Sequence, residues 1–228
     1  MSDAFARLYQ TFQAPISALD CGSRCAPYNE RGVPFCCDTR HAVPSVYQAE
    51  WQYLNDHTDL WHLWKPEDSG NAAQLRSALP DGQVLVECLG HKLCQRNFRS
   101  ITCRSFPFYP YLTVQGEFIG ISYYWEYEDR CWVISHLGQV SQAYMESFID
   151  AYDTIFQLVP EEVENFRQHS IRMRRIFGRK KRAIPILHRN GSCYKISPAS
   201  GRMRRVSAQT MPKFGPYRIA DRLPFPGE

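Results

Sequence analysis

Residues 21–44 read CGSRCAPYNERGVPFCCDTRHAVP. Four cysteines share this stretch with Gly22, Pro27, Gly32, Pro34 and Pro44. Glycine and proline at that density deny the chain a long helix or strand. Something other than a regular apolar face must fix such a segment, and a bound metal is the economical candidate. Outward from it the pattern continues. Cys21-x3-Cys25 is followed by ten residues and the adjacent pair Cys36-Cys37, then by Cys88-x5-Cys94-x8-Cys103, and later by Cys131. Cys193 stands apart in a predicted hairpin and reads as structural.

Nine cysteines in 228 residues, an odd number, argue against a simple disulfide framework. The first 20 residues carry Asp3, Arg7 and Asp20 and no long apolar run, so they do not resemble a secretory leader. The expected compartment is the cytoplasm, where clustered cysteines serve as metal ligands or redox groups. Thiolates are soft ligands suited to zinc and to iron–sulfur clusters. Vicinal cysteines are strained as a disulfide and more readily serve a common cluster or neighbouring ions. Arg24, Arg40, Arg99 and Arg104 lie close in sequence and would offset the charge of a polythiolate site. The competing reading, buried thiols packed as small hydrophobes, gives the 21–44 loop little reason to fold. His91, between Cys88 and Cys94, is a candidate additional ligand. The other histidines read as ordinary loop or surface residues.

Hydrophobic residues make up 44% of the chain and aromatics 14%, which excludes wholesale disorder. No window approaches the roughly 20 apolar residues of a membrane span. Charge is strongly divided. Residues 1–170 hold 12 Lys/Arg against 21 Asp/Glu, a net of −9, and residues 171–228 hold 15 against 2, a net of +13. The densest basic run is Arg172, Arg174, Arg175, Arg179, Lys180, Lys181 and Arg182. On a helix Arg172, Arg175 and Arg179 share a face, and Arg202, Arg204 and Arg205 could extend it into a phosphate-binding surface. A solvated face, or contact with the acidic body, is the plainer explanation. The chain lacks G-x-G-x-x-G, Walker and G-x-S-x-G motifs and offers no candidate site for S-adenosylmethionine.

The regular elements follow from periodicity. A helix is expected from Ser45, with Val46, Ala49, Tyr53 and Leu54 on one side, and a short one over Ala72–Ala78. Pro66–Asn71 reads as a loop. Strands are expected at Gln83–Leu89, in a hairpin of Tyr111–Val114 and Glu117–Trp125, and at Cys131–Ser135. The clearest helix is Gln139–Val159, whose apolar stripe runs from Val140 through Tyr144, Phe148, Tyr152 and Ile155. Pro160 opens a second helix that Gly178 should close. Ile184–His188 and Cys193–Ile196 flank Asn190-Gly191, a type I′ signature, and Arg202–Val206 is a third strand. The proline-rich last residues read as irregular.

The set C-x3-C…CC, then Cys88, Cys94 and Cys103-Arg104-Ser105-Phe106-Pro107, resembles the bacterial cysteine-cluster family known as YkgJ-like, a zinc- or iron-chelating domain related to the cysteine-rich part of flagellin lysine methylases. The resemblance covers roughly residues 18–135. It implies that Cys21, Cys25, Cys36, Cys37, Cys88, Cys94 and Cys103 are ligands of a metal or cluster. Cys131 sits where the family has Cys-Pro-Gly but is followed here by Trp132-Val133, and Ser100 replaces the usual proline.

The expected fold is therefore α+β, with an irregular cysteine-rich metal-binding core and short strands over residues 1–137. An antiparallel helix pair over 138–178 and a basic C-terminal β extension over 179–228 complete it. The expected function is that of a non-enzymatic metal-binding protein, holding iron–sulfur or zinc, in metal handling, redox or complex assembly. One alternative is a cluster-dependent protein-modifying enzyme. Another is a structural zinc protein whose Arg172, Arg175, Arg179, Lys180, Lys181 and Arg182 bind nucleic acid or another anionic partner.

Overall fold

The structure, a computed structural model, describes residues 2–66 and 69–220. It is α+β, with two antiparallel sheets. Among the described residues no helix is long and apolar enough to cross a membrane.

Helix α1 (Ser2–Thr11) buries Phe5, Leu8 and Tyr9, with Phe12 just beyond its end. The five-residue α2 (Cys21–Cys25) follows, then β1 (Ser45–Tyr47) and α3 (Gln48–His57). The expected helix start at Ser45 is displaced. Residues 45–47 instead pair with β3 (Gln83–Cys88), Val46 opposite Val84. Tyr47 is the N-cap of α3, and Glu50 reaches back to its backbone N–H. The other edge of β3 receives β2 (Trp61–Leu63). Helix α4 (Ser69–Ser77) begins inside the expected 66–71 loop, two residues of which lie outside the described ones.

Glu50 is fully buried, and Tyr9 Oη (2.8 Å) and the Ile101 amide (2.7 Å) both donate to its Oε1. Burial raises its carboxyl to about 7, against the bonds that favour the charged form. A carboxyl raised on folding binds a proton more tightly in the native state, so stability falls as pH rises from about 4.5 to about 7. Glu50→Gln should flatten that slope, removing about 2–3 kcal/mol of pH-dependent stability over the window. Urea unfolding of both proteins at pH 5 and pH 7.5 measures it; equal slopes would refute it.

Helix α5 (Ile101–Ser105) leads through a cis Phe106-Pro107 bond into β4 (Phe108–Leu112) and β5 (Phe118–Tyr123). Cys131–Ser135 is not a strand: Cys131 caps a 3-10 segment over Trp132–Gln139 that buries Trp132, Val133, Ile134 and Leu137. Helix α6 (Gln142–Leu158) is capped by Ser141, whose Oγ accepts from the Tyr144 amide, and starts later than the expected Gln139; it buries Tyr144, Phe148, Tyr152 and Ile155 of the expected stripe, while Val140 lies ahead of it and is half-buried. Helix α7 (Glu161–Arg179) runs through Gly178. Lys181, at a left-handed φ of 50°, closes it instead, and the Arg182 amide returns to the Phe177 carbonyl.

Strands β6 (Ile184–His188), β7 (Cys193–Ile196) and β8 (Met203–Val206) follow. Sheet order is β4-β5-β6-β7-β8, so the C-terminal strands continue the sheet begun before residue 137. A Cβ on Gly120 would lie 2.4 Å from the Leu187 carbonyl oxygen, which is why β5 carries glycine where β6 joins it. The β6–β7 turn is not type I′. Asn190 keeps negative φ, the Gly191 amide bonds the His188 carbonyl, and Gly191 alone takes φ 80°, the three-residue hairpin with a glycine bulge. Helix α7 covers the sheet face bearing Tyr109 and Ser122, both bonded to Met173. Phe214 meets Tyr123 on the opposite face. Helix α8 (Tyr217–Ala220) ends the described chain, and the expected irregular C-terminal residues from 221 onward lie outside it.

Candidate metal centre

The cysteines enter the site from separate elements. Cys21 and Cys25 are the first and last residues of α2, four apart and so on one face. Asp20 starts that helix by accepting from the Gly22 amide at 2.9 Å. Cys36 and Cys37 lie on a 3-10 turn behind the buried Phe35, with their Sγ atoms 3.9 Å apart. Cys88 ends β3, Cys94 follows the 3-10 turn of His91–Leu93, and Cys103 lies within α5, where Ser100 Oγ accepts from its amide. All nine cysteines are free thiols.

Six of them, Cys21, Cys36, Cys37, Cys88, Cys94 and Cys103, line one cleft of about 1300 Å³. Cys25 and Cys131 are buried. The electrostatic neighbours fall into two overlapping groups. Cys131 lies within electrostatic reach of Cys21 and Cys25, and Cys36 within reach of Cys25 and Cys131. Cys37 lies within reach of Cys88 and Cys103, which also sense each other. The adjacent pair Cys36-Cys37 thus joins thiols that are up to about a hundred residues apart in sequence. Cys193, on β7 between Leu187 and Val206, belongs to neither group.

Burial pushes the Cys25 thiol up to about 11 and Cys103 up to about 12, and raises Cys131 further. In the vicinal pair the Cys36 hydrogen bond lowers Cys37 while Cys36 itself rises. Burial thus disfavours assembling several thiolates here unless positive charge accompanies them. Arg99 supplies some. Its Nε donates to Cys94 Sγ at 3.1 Å, and its charge reaches Cys37 and Cys103.

Arg104 does not act as expected. Adjacent residues of a helix point about 100° apart, so Cys103 faces the cleft while Arg104 is buried on the other side. Its guanidinium donates to the carbonyls of Arg99, Tyr9, Phe12 and Asn97 and lies 4.5 Å over the Tyr9 ring. Arg40 is bound to Asp38 through Nε (3.1 Å) and Nη2 (2.8 Å). That pair, with Asn29, holds the Asp38 carboxyl well below the usual carboxylate range. Asp38 and the buried Phe35 therefore give the 21–44 loop an internal staple besides any metal. Thr39 donates to Glu87 at 3.1 Å and Tyr127 to the His41 carbonyl, anchoring the same loop across the cleft.

His91, the candidate additional ligand, lines the cleft, and so do His41 and His62, which by sequence read as ordinary loop or surface histidines. Only strand pairing, with His62 opposite Glu87, reveals this for His62. The donor set suits a soft metal, thiol-rich with imidazoles beside it. The positions are not closed: among the described residues no group of three or more His, Cys, Asp or Glu side chains is placed to hold a metal ion.

The basic residues divide. Arg182 is turned inward, forked onto Glu128 (2.8 and 2.6 Å) and packed over Phe177 and Phe214. It is part of the fold's interior bonding, not of an open surface. Arg172, Arg175, Arg179, Lys180 and Lys181 are exposed. No family model, curated protein or solved structure matches this chain.

Proposed function

We propose that this is a metal-binding cysteine-cluster protein. In that reading Cys21, Cys25, Cys36, Cys37, Cys88, Cys94, Cys103 and Cys131 hold an iron–sulfur cluster or zinc, and the protein acts in metal handling, redox or complex assembly. The observation that carries the reading is the convergence of these eight thiols, from six separate places along the chain, on and behind one cleft. The resemblance to the YkgJ-like pattern in the same cysteines points the same way. A bound metal would supply the positive charge that buried thiolates need, with Arg99 supplementing it. Arg104 and Asp38 then hold the cysteine-bearing loops in place.

A second reading, a cluster-dependent protein-modifying enzyme, draws on the size of the cleft. At about 1300 Å³ it exceeds what an ion requires, and Trp61, Trp64, Phe106, Tyr124 and Tyr127 share its wall with the thiols.

Metal removal tests the main reading. Ligation coupled to folding makes the metal part of the stability. Stripping the protein with a strong chelator under argon should lower Tm by on the order of 10 °C, reversibly on returning the metal. A Tm unmoved by complete metal removal would overturn it.

A further inference from the structure

We propose that the outer face of α7 and the neighbouring β8 edge form one surface that binds the phosphate backbone of nucleic acid. This is independent of the metal reading. Arg175 and Arg179 are exposed on α7, and Arg202, Arg204 and Arg205 are exposed on or beside β8. Among the described residues none of these five is in an ion pair, whereas Arg167, Arg182 and Arg189 are held by Glu164, Glu128 and Asp153. The basic segment has therefore not folded back on the acidic body at these positions.

The two elements are contiguous. A Cβ built on Gly178 would lie 3.7 Å from Pro198 Cβ, and one on Gly201 3.7 Å from Arg174 Nη1, so the α7 C-terminus abuts the β7–β8 turn. The register Ile186–Tyr194–Arg205 places Arg205 on the sheet face that α7 covers, whereas Arg204, its neighbour in the strand, projects from the opposite face and stands outside the surface. Arg172 and Lys180 continue the surface, with Glu126 as an electrostatic neighbour.

The chemistry favours phosphate. The four central cations, Arg175, Arg179, Arg202 and Arg205, are all arginine, whose planar fork matches phosphate oxygens and is more weakly hydrated than ammonium. Arg172 and Arg179 stand about 10 Å apart along the helix, so a partner must repeat its charge over that length, as a nucleic-acid backbone does. Charged side chains on an edge strand discourage an added peptide strand, which makes an acidic β-strand the poorer occupant.

The test is fluorescence anisotropy of the full chain as purified with a labelled mixed-sequence DNA duplex between 50 and 300 mM KCl. Binding should weaken linearly in log–log form, by about 0.9 per phosphate contact. Arg175→Glu/Arg179→Glu should weaken binding at least tenfold and flatten the slope by about 1.8. Arg202→Glu/Arg205→Glu, on the second element, should do likewise, and Arg7→Glu/Arg76→Glu, an equal charge change on exposed positions elsewhere, should not. Unchanged circular dichroism and Tm show that the variants fold. Absence of binding at low salt would overturn the proposal. So would equal weakening by the control pair, or equally tight binding of poly-glutamate or phosphatidylserine vesicles.

Discussion

Arg104→Ala is expected to lower the free energy of unfolding by about 3–5 kcal/mol. Arg104 is 8% exposed, and its guanidinium satisfies four backbone carbonyls on two segments, α1 with its following residues and the 97–99 stretch. Each buried carbonyl left without a donor costs about 1–3 kcal/mol, though the losses do not add fully. The stacking on Tyr9 goes with them. Lysine has the charge but not the planar fork, so Arg104→Lys should recover only part of the loss. Urea unfolding reads both. A loss under about 1 kcal/mol for the alanine variant would mean that the network is not what ties the cysteine-bearing 88–103 segment to α1.

Cys37→Ser and Cys103→Ser are each expected to lower bound metal per chain by about half or more, because a polythiolate site seldom tolerates loss of a ligand. Cys37 is the sharper case. It is the thiol sensed by Cys21, Cys25, Cys36, Cys88 and Cys103 alike. Cys193→Ser, on the far strand β7, should leave metal content unchanged. Metal analysis of the three variants, purified side by side, decides it. Equal content in all three would remove Cys37 and Cys103 from the site.

Elements with local periodicity were legible in the sequence. The stripe Tyr144, Phe148, Tyr152 and Ile155 announced α6, and its face is the buried one. Gly191 marked the β6–β7 turn, although the turn type needed backbone angles to settle. What the sequence hid is non-local. Nothing near Ser45 signals that it pairs with Leu85, and the helix start moved accordingly. Likewise β6 joins β5 across some sixty residues, which local patterns do not encode. The cysteine spacings named the candidate ligands, and the structure gathers six of them on one cleft. Proximity in sequence misled for Arg104, since one helical step turns it away from Cys103. It also misled for Arg182, whose partner Glu128 lies 54 residues upstream.

The most direct measurement is metal, acid-labile sulfide and visible absorption together on protein purified without oxygen. The account predicts either iron with sulfide and a broad visible band, or stoichiometric zinc without colour. Protein that carries neither, takes up neither on reconstitution, and still unfolds cooperatively would contradict it, leaving the eight cysteines as packed free thiols.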